Sequence, residues 1–262
     1  MKLIRKLVKF ELQNSIRSKW IIVYSLIFFI LTFLLFNFET DIAKASLTLT
    51  NLILIVIPLV SIIFGVMFVY NSIEYVQLVL CQPIDRKSLF IGLYLGNIFP
   101  LILGFALSII LGTLFSGMML TSLKPILITL LIGIFLTFIF TAISFWIGFL
   151  INDKAKGLGT AIILWFSFAV LYDGILLFII YSFREYPIEN FALAACLINP
   201  IDLARVFFIL DFNISALMGY TGAVFNKFFG SSLGVIISIS MMVVWFIIPF
   251  FFGMRRFLKK DF

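Results

Sequence analysis

Six apolar segments constrain the fold of this chain more than any other feature. They cover roughly residues 20–37, 49–71, 90–115, 125–151, 158–182 and 233–253. A helix needs about 20 mostly apolar residues to cross the hydrocarbon core of a bilayer. Only 12% of the residues are charged, whereas a soluble domain has about 25%. The sequence therefore predicts an all-α, polytopic membrane protein with six transmembrane helices, and residues 1–262 are expected to form one transmembrane domain.

The distribution of lysine and arginine predicts the orientation of these spans. With a cytoplasmic N-terminus, 14 of the 19 basic residues lie on the inner side. The five on the outer side are Lys44, Lys124, Arg184, Arg205 and Lys227. Cytoplasmic loops of membrane proteins carry such an excess, so both termini are expected in the cytoplasm. The net charge of +7 then reflects topology and attraction to anionic lipid headgroups, and no nucleic-acid partner is expected.

The N-terminal segment has the pattern of an amphipathic helix. Leu3, Leu7 and Phe10 share one helical face, and the basic residues of this segment share the opposite one. A basic amphipathic helix of this kind lies in the plane of the membrane interface. It either anchors the topology or also borders a cytoplasmic partner, and the pattern leaves both open.

The loop after the second span is long, and its composition is not that of a simple turn. It reads NSIEYVQLVLCQPIDRKSLFIGLYLG, residues 71–96. The residues that mark it are Glu74, Tyr75, Gln77, Pro83, Asp85 and Arg86. Proline disfavours a helical residue before it, so Pro83 is expected to end a short helix. Such a helix, parallel to the membrane, would suit a lever for a cytosolic motor; an inert loop is the alternative.

Residues 183–232 form a long, apolar outer segment before the last span. Its candidate docking residues are Asn199, Pro200, Asp202, Arg205, Gly219, Tyr220 and Gly222. Asparagine followed by proline predicts a helix start, and the glycines loosen a second short helix. A re-entrant helical hairpin is therefore expected, either as a plug or as a surface for an outer partner. Its carboxylates and Arg205 look too scattered in sequence for an acid–base pair.

Chemistry-bearing residues are sparse within the predicted spans. Asp173 is the one carboxylate there, which makes it a functional candidate; snorkelling or capping a bend at Gly174 is the alternative. The chain lacks histidine, and the predicted topology separates Cys81 from Cys196. Neither a disulfide nor a metal site is therefore expected.

The sequence also lacks a nucleotide-binding motif. The phosphate-binding pattern GxxxxGK[ST] does not occur in it. No catalytic residues are therefore expected in this chain, and any ATP hydrolysis is expected in a separate chain.

The order of these segments resembles an ABC-2 type permease over nearly the whole chain. In that family a coupling helix occupies the position of EYVQLVLCQPIDR, the amphipathic start corresponds to a connecting helix, and re-entrant helices precede the last span. The stretches NPIDLARV, SALMGYTGAVF and MRRFLKKDF further resemble the NosY-type permeases of nitrous oxide reductase maturation.

This resemblance implies a location, partners and a role. The location is the bacterial cytoplasmic (inner) membrane. The partners are a second copy of the chain, a NosF-type cytoplasmic ATPase that holds ATP and magnesium, and a NosD-type periplasmic β-helical protein. The role is assembly of the reductase's copper–sulfur centre, by moving a sulfur species or by transmitting motion. The alternatives are another ABC-2 substrate, a non-ABC secondary transporter and a membrane scaffold.

Overall fold

The computed structural model of the chain describes residues 19–39, 41–117, 123–183, 189–211 and 232–260. These residues form ten α-helices and one π-helical turn, and they contain no β-strand. The elements are α1 (Lys19–Phe38), α2 (Ile42–Asn71), α3 (Ile73–Leu80), α4 (Arg86–Phe115), α5 (Leu123–Leu150), α6 (Lys154–Phe166), the π turn (Ser167–Leu171), α7 (Tyr172–Ser182), α8 (Glu189–Ile198), α9 (Pro200–Asp211) and α10 (Ser232–Lys259). The predicted all-α class is confirmed.

Six helices of the described chain are long and apolar enough to cross a membrane. They are α1, α2, α4, α5, the continuous helix formed by α6, the π turn and α7, and α10. The prediction of six spans is confirmed. Two of them begin earlier than the hydropathy pattern indicates, because an aspartate caps each start. Asp41 accepts a hydrogen bond from Ala43 N at 2.9 Å, and Asp85 accepts one from Ser88 N at 3.0 Å.

The centre of the bundle is formed by α2 and α5, which run parallel in close contact. Thr50 and Thr129 share a hydrogen bond of 3.2 Å between their hydroxyl oxygens near the start of both helices. Towards their ends, a Cβ added at Gly148 would lie 2.8 Å from Val69 Cγ1. Small residues at such positions allow membrane helices to approach closely, and α10, α6 and α4 also contact α5.

One end of the bundle gathers the ends of five spans and most of the described cations. Tyr70 donates a hydrogen bond of 2.9 Å to the Ile151 carbonyl, which joins the end of α2 to the end of α5. Lys154 Nζ lies 3.2 Å from Asn71 Oδ1, which adds the start of α6. Arg86, at the start of α4, bonds to the end of α10. We call this end of the bundle the basic end and the other the opposite end.

Several predicted features lie outside the described residues. They are the amphipathic helix of residues 1–18 and the second outer helix, with Gly219, Tyr220 and Gly222.

Candidate functional site

The helix α3 lies at the basic end and has two different faces. Val76, which is 1% exposed, packs into an apolar cluster with Phe90 and Phe257. The opposite face carries exposed residues at positions one helical turn apart, namely Glu74, Gln77, Leu78 and Cys81. Residues three and four apart share a helical surface, so these four side chains form one outward surface. We call it the α3 surface.

Leu78 lies at the centre of the α3 surface and was not singled out from the sequence. Its side chain is 72% exposed, although it is large and apolar. An apolar residue surrounded by polar ones is the arrangement found in protein interfaces. The sequence signal was its spacing of four and three residues from Glu74 and Cys81, which places Leu78 on the polar face of the helix.

Two contacts hold the segment after α3. The Asp85 carboxylate accepts bonds of 3.0 Å from both the backbone N–H and the hydroxyl of Ser88, and these bonds lower the pKa of Asp85. Arg86 Nη1 donates to the carbonyl oxygens of Leu258 and Lys260 at 3.2 and 3.1 Å. Because the last carbonyls of a helix have no partner within the helix, Arg86 caps the end of α10 and ties the segment to it.

The other site lies where α9 meets the span formed by α6 and α7. Arg205 Nη1 donates to Asp173 Oδ2 at 2.8 Å and to Asp202 Oδ1 at 2.9 Å. Asn199 Nδ2 lies 3.0 Å from Asp202 Oδ2. We call these four residues the polar cluster. It holds two carboxylates against one guanidinium, so it has a net negative charge when both are ionised.

The π turn within the span positions one edge of the polar cluster. Asn199 Nδ2 donates to the Phe168 carbonyl in this turn at 2.9 Å, and Tyr172, just after the turn, donates to the Ala195 carbonyl at 2.6 Å. A π turn interrupts the regular i to i−4 bonding of an α-helix and is frequent at functional sites. Here it frees a carbonyl for a partner outside the span, so the span and the segment containing α8 and α9 are joined at two points.

The prediction that Asn199 caps a helix agrees with the local geometry. Its side-chain oxygen accepts from Ile201 N at 3.0 Å, and Pro200 occupies the first position of α9. The side chains of Asn199 and Asp202 are nevertheless buried, with 0% and 5% of each residue exposed. These two residues therefore hold α9 in place and do not themselves present an outer surface. Arg205 remains partly exposed, at 33% of its side chain.

The contact between Asp173 and Arg205 was not predicted from the sequence. Asp173 and Arg205 are 32 residues apart in sequence, but the packing of α9 against the π turn brings them into contact. Burial, and then the neighbouring Asp173 carboxyl, raise the pKa of Asp202 to about 7. Arg205 and Asn199 act in the opposite direction. Asp202 consequently changes its protonation near neutral pH.

The thiol of Cys196 lies close to the polar cluster. Burial raises its pKa to about 12, so it stays a protonated thiol at neutral pH and is a poor nucleophile. In the described parts of the chain, no three Cys, Asp or Glu side chains are grouped as metal ligands.

No family model matches this chain. It is similar to the probable ABC transporter permease protein NosY of Pseudomonas aeruginosa, with 25% identity over 226 residues that cover 80% of this chain and 82% of that protein. This chain is therefore a multi-pass membrane protein that resembles the ABC transporter permease NosY.

Proposed function

We propose that this chain is the transmembrane permease subunit of an ABC transporter and that a separate cytoplasmic ATPase binds the α3 surface. The observation that carries the proposal is the exposed Leu78 with Glu74 and Gln77 beside it, at the end of the bundle that also carries the cations. A large apolar side chain with polar neighbours on the same helical face suits the centre of a protein interface. A docked ATPase would cover it.

The basic end is cytoplasmic in this proposal. The described cations at this end include Arg86, Lys87, Lys154, Lys156, Arg255, Arg256, Lys259 and Lys260. Basic residues next to spans mark the cytoplasmic side. The polar cluster then lies towards the outer side of the membrane, because Asp173 lies near the far end of a span that begins at Lys154.

The links from α3 to its neighbouring helices would transmit a movement of α3 to the bundle. This helix follows α2 after a single residue, Ser72, whose hydroxyl donates to the Phe68 carbonyl at 2.7 Å. A shift of α3 therefore moves the end of α2, which packs on α5. The segment after α3 is joined to α10 through Arg86. Two of the long helices consequently respond to one docked partner.

In this proposal the polar cluster holds α9 against the outer part of the span. Its salt bridge joins a span to α9, and charge-assisted hydrogen bonds of this kind are stronger than neutral ones. Because Arg205 can pair with either carboxylate, the contact can change without leaving the guanidinium unpaired. Asp173 would hold α9 in place. The segment that begins with α9 would dock the outer partner.

The biological role proposed here follows the resemblance to NosY-type permeases. The chain would work as a homodimer with a NosF-type ATPase in the inner membrane, and a NosD-type protein would bind outside. Together they would support assembly of the copper–sulfur centre of nitrous oxide reductase, by moving a sulfur species or by transmitting motion. In this role the chain would supply no catalytic residue of its own.

Isolation of the tagged full-length chain from native membranes tests this proposal. We expect an ABC ATPase to be recovered in stoichiometric amount, together with a second, differently tagged copy of the chain. Recovery of the outer protein in the same complex would support the specific role. A chain that is isolated without any ATPase, yet transports substrate with an ion gradient, would instead be a secondary transporter. A chain with neither property would be a membrane scaffold.

A further inference from the structure

The last helix carries a cavity on its exposed side, and three cationic residues border it. Among the described residues, Phe252, Arg255, Arg256 and Lys259 line a cavity of about 290 Å³. These positions fall on one face of α10, because they are separated by three, four and seven residues from Phe252. Within the described parts of the chain, no carboxylate forms a salt bridge with any of the three cations. The described salt bridges therefore leave these three cations open to an anion.

The cavity faces outward because the opposite side of α10 is fixed. Phe257 is 0% exposed and packs on Phe90 and Phe149, with ring centroids 5.5 and 5.0 Å apart. One turn earlier, a Cβ added at Gly253 would lie 3.2 Å from Trp146 N, so α10 and α5 are in close backbone contact. The cations between these contacts are held away from the bundle, and the bond from Arg86 to the Leu258 carbonyl secures the helix end.

The surface of α10 changes from apolar to cationic along one stripe. Val244, Ile248 and Phe252 are 41%, 49% and 49% exposed, and they are spaced four residues apart. The three cations follow directly. With a rise of about 1.5 Å per residue, the apolar part is about 12 Å long. It lies within a predicted span, so hydrocarbon surrounds it, while the cations lie at the depth of the headgroups.

We propose that this cavity binds the headgroup of an anionic phospholipid. Arg255 and Arg256 would hold the phosphate through guanidinium hydrogen bonds, for which arginine is well suited, and Lys259 would add charge. The acyl chains would lie along Val244, Ile248 and Phe252. Basic pockets beside transmembrane helices on the cytoplasmic side recognise such lipids. The stripe matches a molecule that is apolar at one end and anionic at the other, which a free phosphate ion is not.

Binding of defined lipids to the purified full-length chain tests the proposal. Native mass spectrometry with a titration of phosphatidylglycerol measures the bound fraction, with phosphatidylcholine and inorganic phosphate as separate arms. The test variant carries Arg255→Gln and Arg256→Gln. The matched control carries Lys87→Gln and Lys156→Gln, which remove the same charge from exposed positions at the same end. A third variant, Arg255→Lys with Arg256→Lys, keeps the charge.

We expect the double glutamine variant at Arg255 and Arg256 to bind phosphatidylglycerol at least about tenfold more weakly. The control should bind within about threefold of the unchanged chain, since it loses little of the local charge. The double lysine variant keeps the charge but loses the guanidinium hydrogen bonds, so its binding should lie between that of the unchanged chain and that of the double glutamine variant. Phosphatidylcholine should bind weakly in every form.

Several results would overturn this assignment. Equal weakening in the test and control variants would mean diffuse attraction by the whole basic end. Competition by millimolar inorganic phosphate would make the cavity a site for free anions. Loss of the dimer in the Arg255 and Arg256 variant, with lipid binding unchanged, would mean that a second copy covers this face.

Discussion

Arg205 and Asp173 form a salt bridge of 2.8 Å between a helix outside the spans and a span. The same guanidinium contacts Asp202 at 2.9 Å, so one cation serves two carboxylates. Replacement of Arg205 by a neutral residue would therefore take the same charged hydrogen-bond donor from both carboxylates. Among the described residues, both carboxylates of the polar cluster therefore depend on Arg205 as their salt-bridge partner.

Substitution of Arg205 tests this dependence. We expect Arg205→Gln to lower the free energy of unfolding by about 1–3 kcal/mol, because two partly desolvated carboxylates lose their charged donor and the partial exposure of Arg205 limits the loss. Lys44→Gln, an exposed cation at the start of α2, is the matched control. Denaturant unfolding in detergent measures both. Equal free energies of unfolding for the two variants would show that the salt bridge does not stabilise the fold.

The raised pKa of Asp202 predicts a dependence of stability on pH. An aspartate carboxyl has an ordinary pKa of 3.8, whereas the pKa of Asp202 in the folded chain is about 7, so the folded state holds the proton more tightly. The unfolded state therefore releases its proton first as pH rises, and stability falls between about pH 4 and pH 7. We expect the unfolding temperature to decrease over this range.

Asp202→Asn removes this titration and should flatten that decrease. Other carboxylates titrate in the same range, so the difference between the two pH profiles is the quantity to measure. Identical profiles for the unchanged chain and the variant would contradict a raised pKa at Asp202.

Glu74 and Arg86, the two charged residues proposed from the sequence for coupling, are expected to affect different properties. Glu74 lies on the α3 surface, so Glu74→Lys should weaken ATPase binding with little change in unfolding temperature. Arg86 caps the end of α10, so Arg86→Glu should lower the unfolding temperature as well. Co-purification of the ATPase and thermal unfolding of the chain alone measure the two effects. Reduced stability in Glu74→Lys with normal ATPase binding would contradict this division.

The topology can be tested by cysteine labelling. Cys81 is exposed at the basic end, and we expect an impermeant maleimide to label it from the cytoplasmic side alone. Cys196 is buried with a raised pKa, so it is unsuited to the same test. Lys44→Cys, in a chain with Cys81→Ser, places the thiol at the opposite end and should be labelled from outside alone. Labelling of both from the same side would contradict the six-span topology.

Sequence patterns predicted the six spans because hydropathy over about 20 residues depends little on tertiary contacts. They also predicted the cap at Asn199, since capping involves neighbouring residues. The contact between Asp173 and Arg205 was missed because it depends on how α9 packs on the π turn. Leu78 was missed because an exposed leucine is recognised only when the inner face of α3 is known. Asp202 was placed on the correct helix, but its burial required the fold.

The outer docking residues illustrate the same limit. If Asp202 were a docking residue, Asp202→Arg would remove a contact with an outer protein. In the structure it would place a second cation beside Arg205 and disrupt the polar cluster. Loss of outer binding in that variant would therefore report the position of α9 and not a direct contact.

Binding of the ATPase to chains altered on the α3 surface is the decisive measurement. Leu78→Asp and Asn152→Asp add the same charge at exposed positions of the basic end, but only Leu78 lies on the α3 surface. With purified complexes, we expect Leu78→Asp to weaken ATPase binding at least about tenfold, because the centre of an interface would then hold a desolvated charge. Asn152→Asp should change the binding by less than about threefold, as a charge outside the centre of an interface does. Equal binding by both variants and the unchanged chain would contradict docking of the ATPase on the α3 surface.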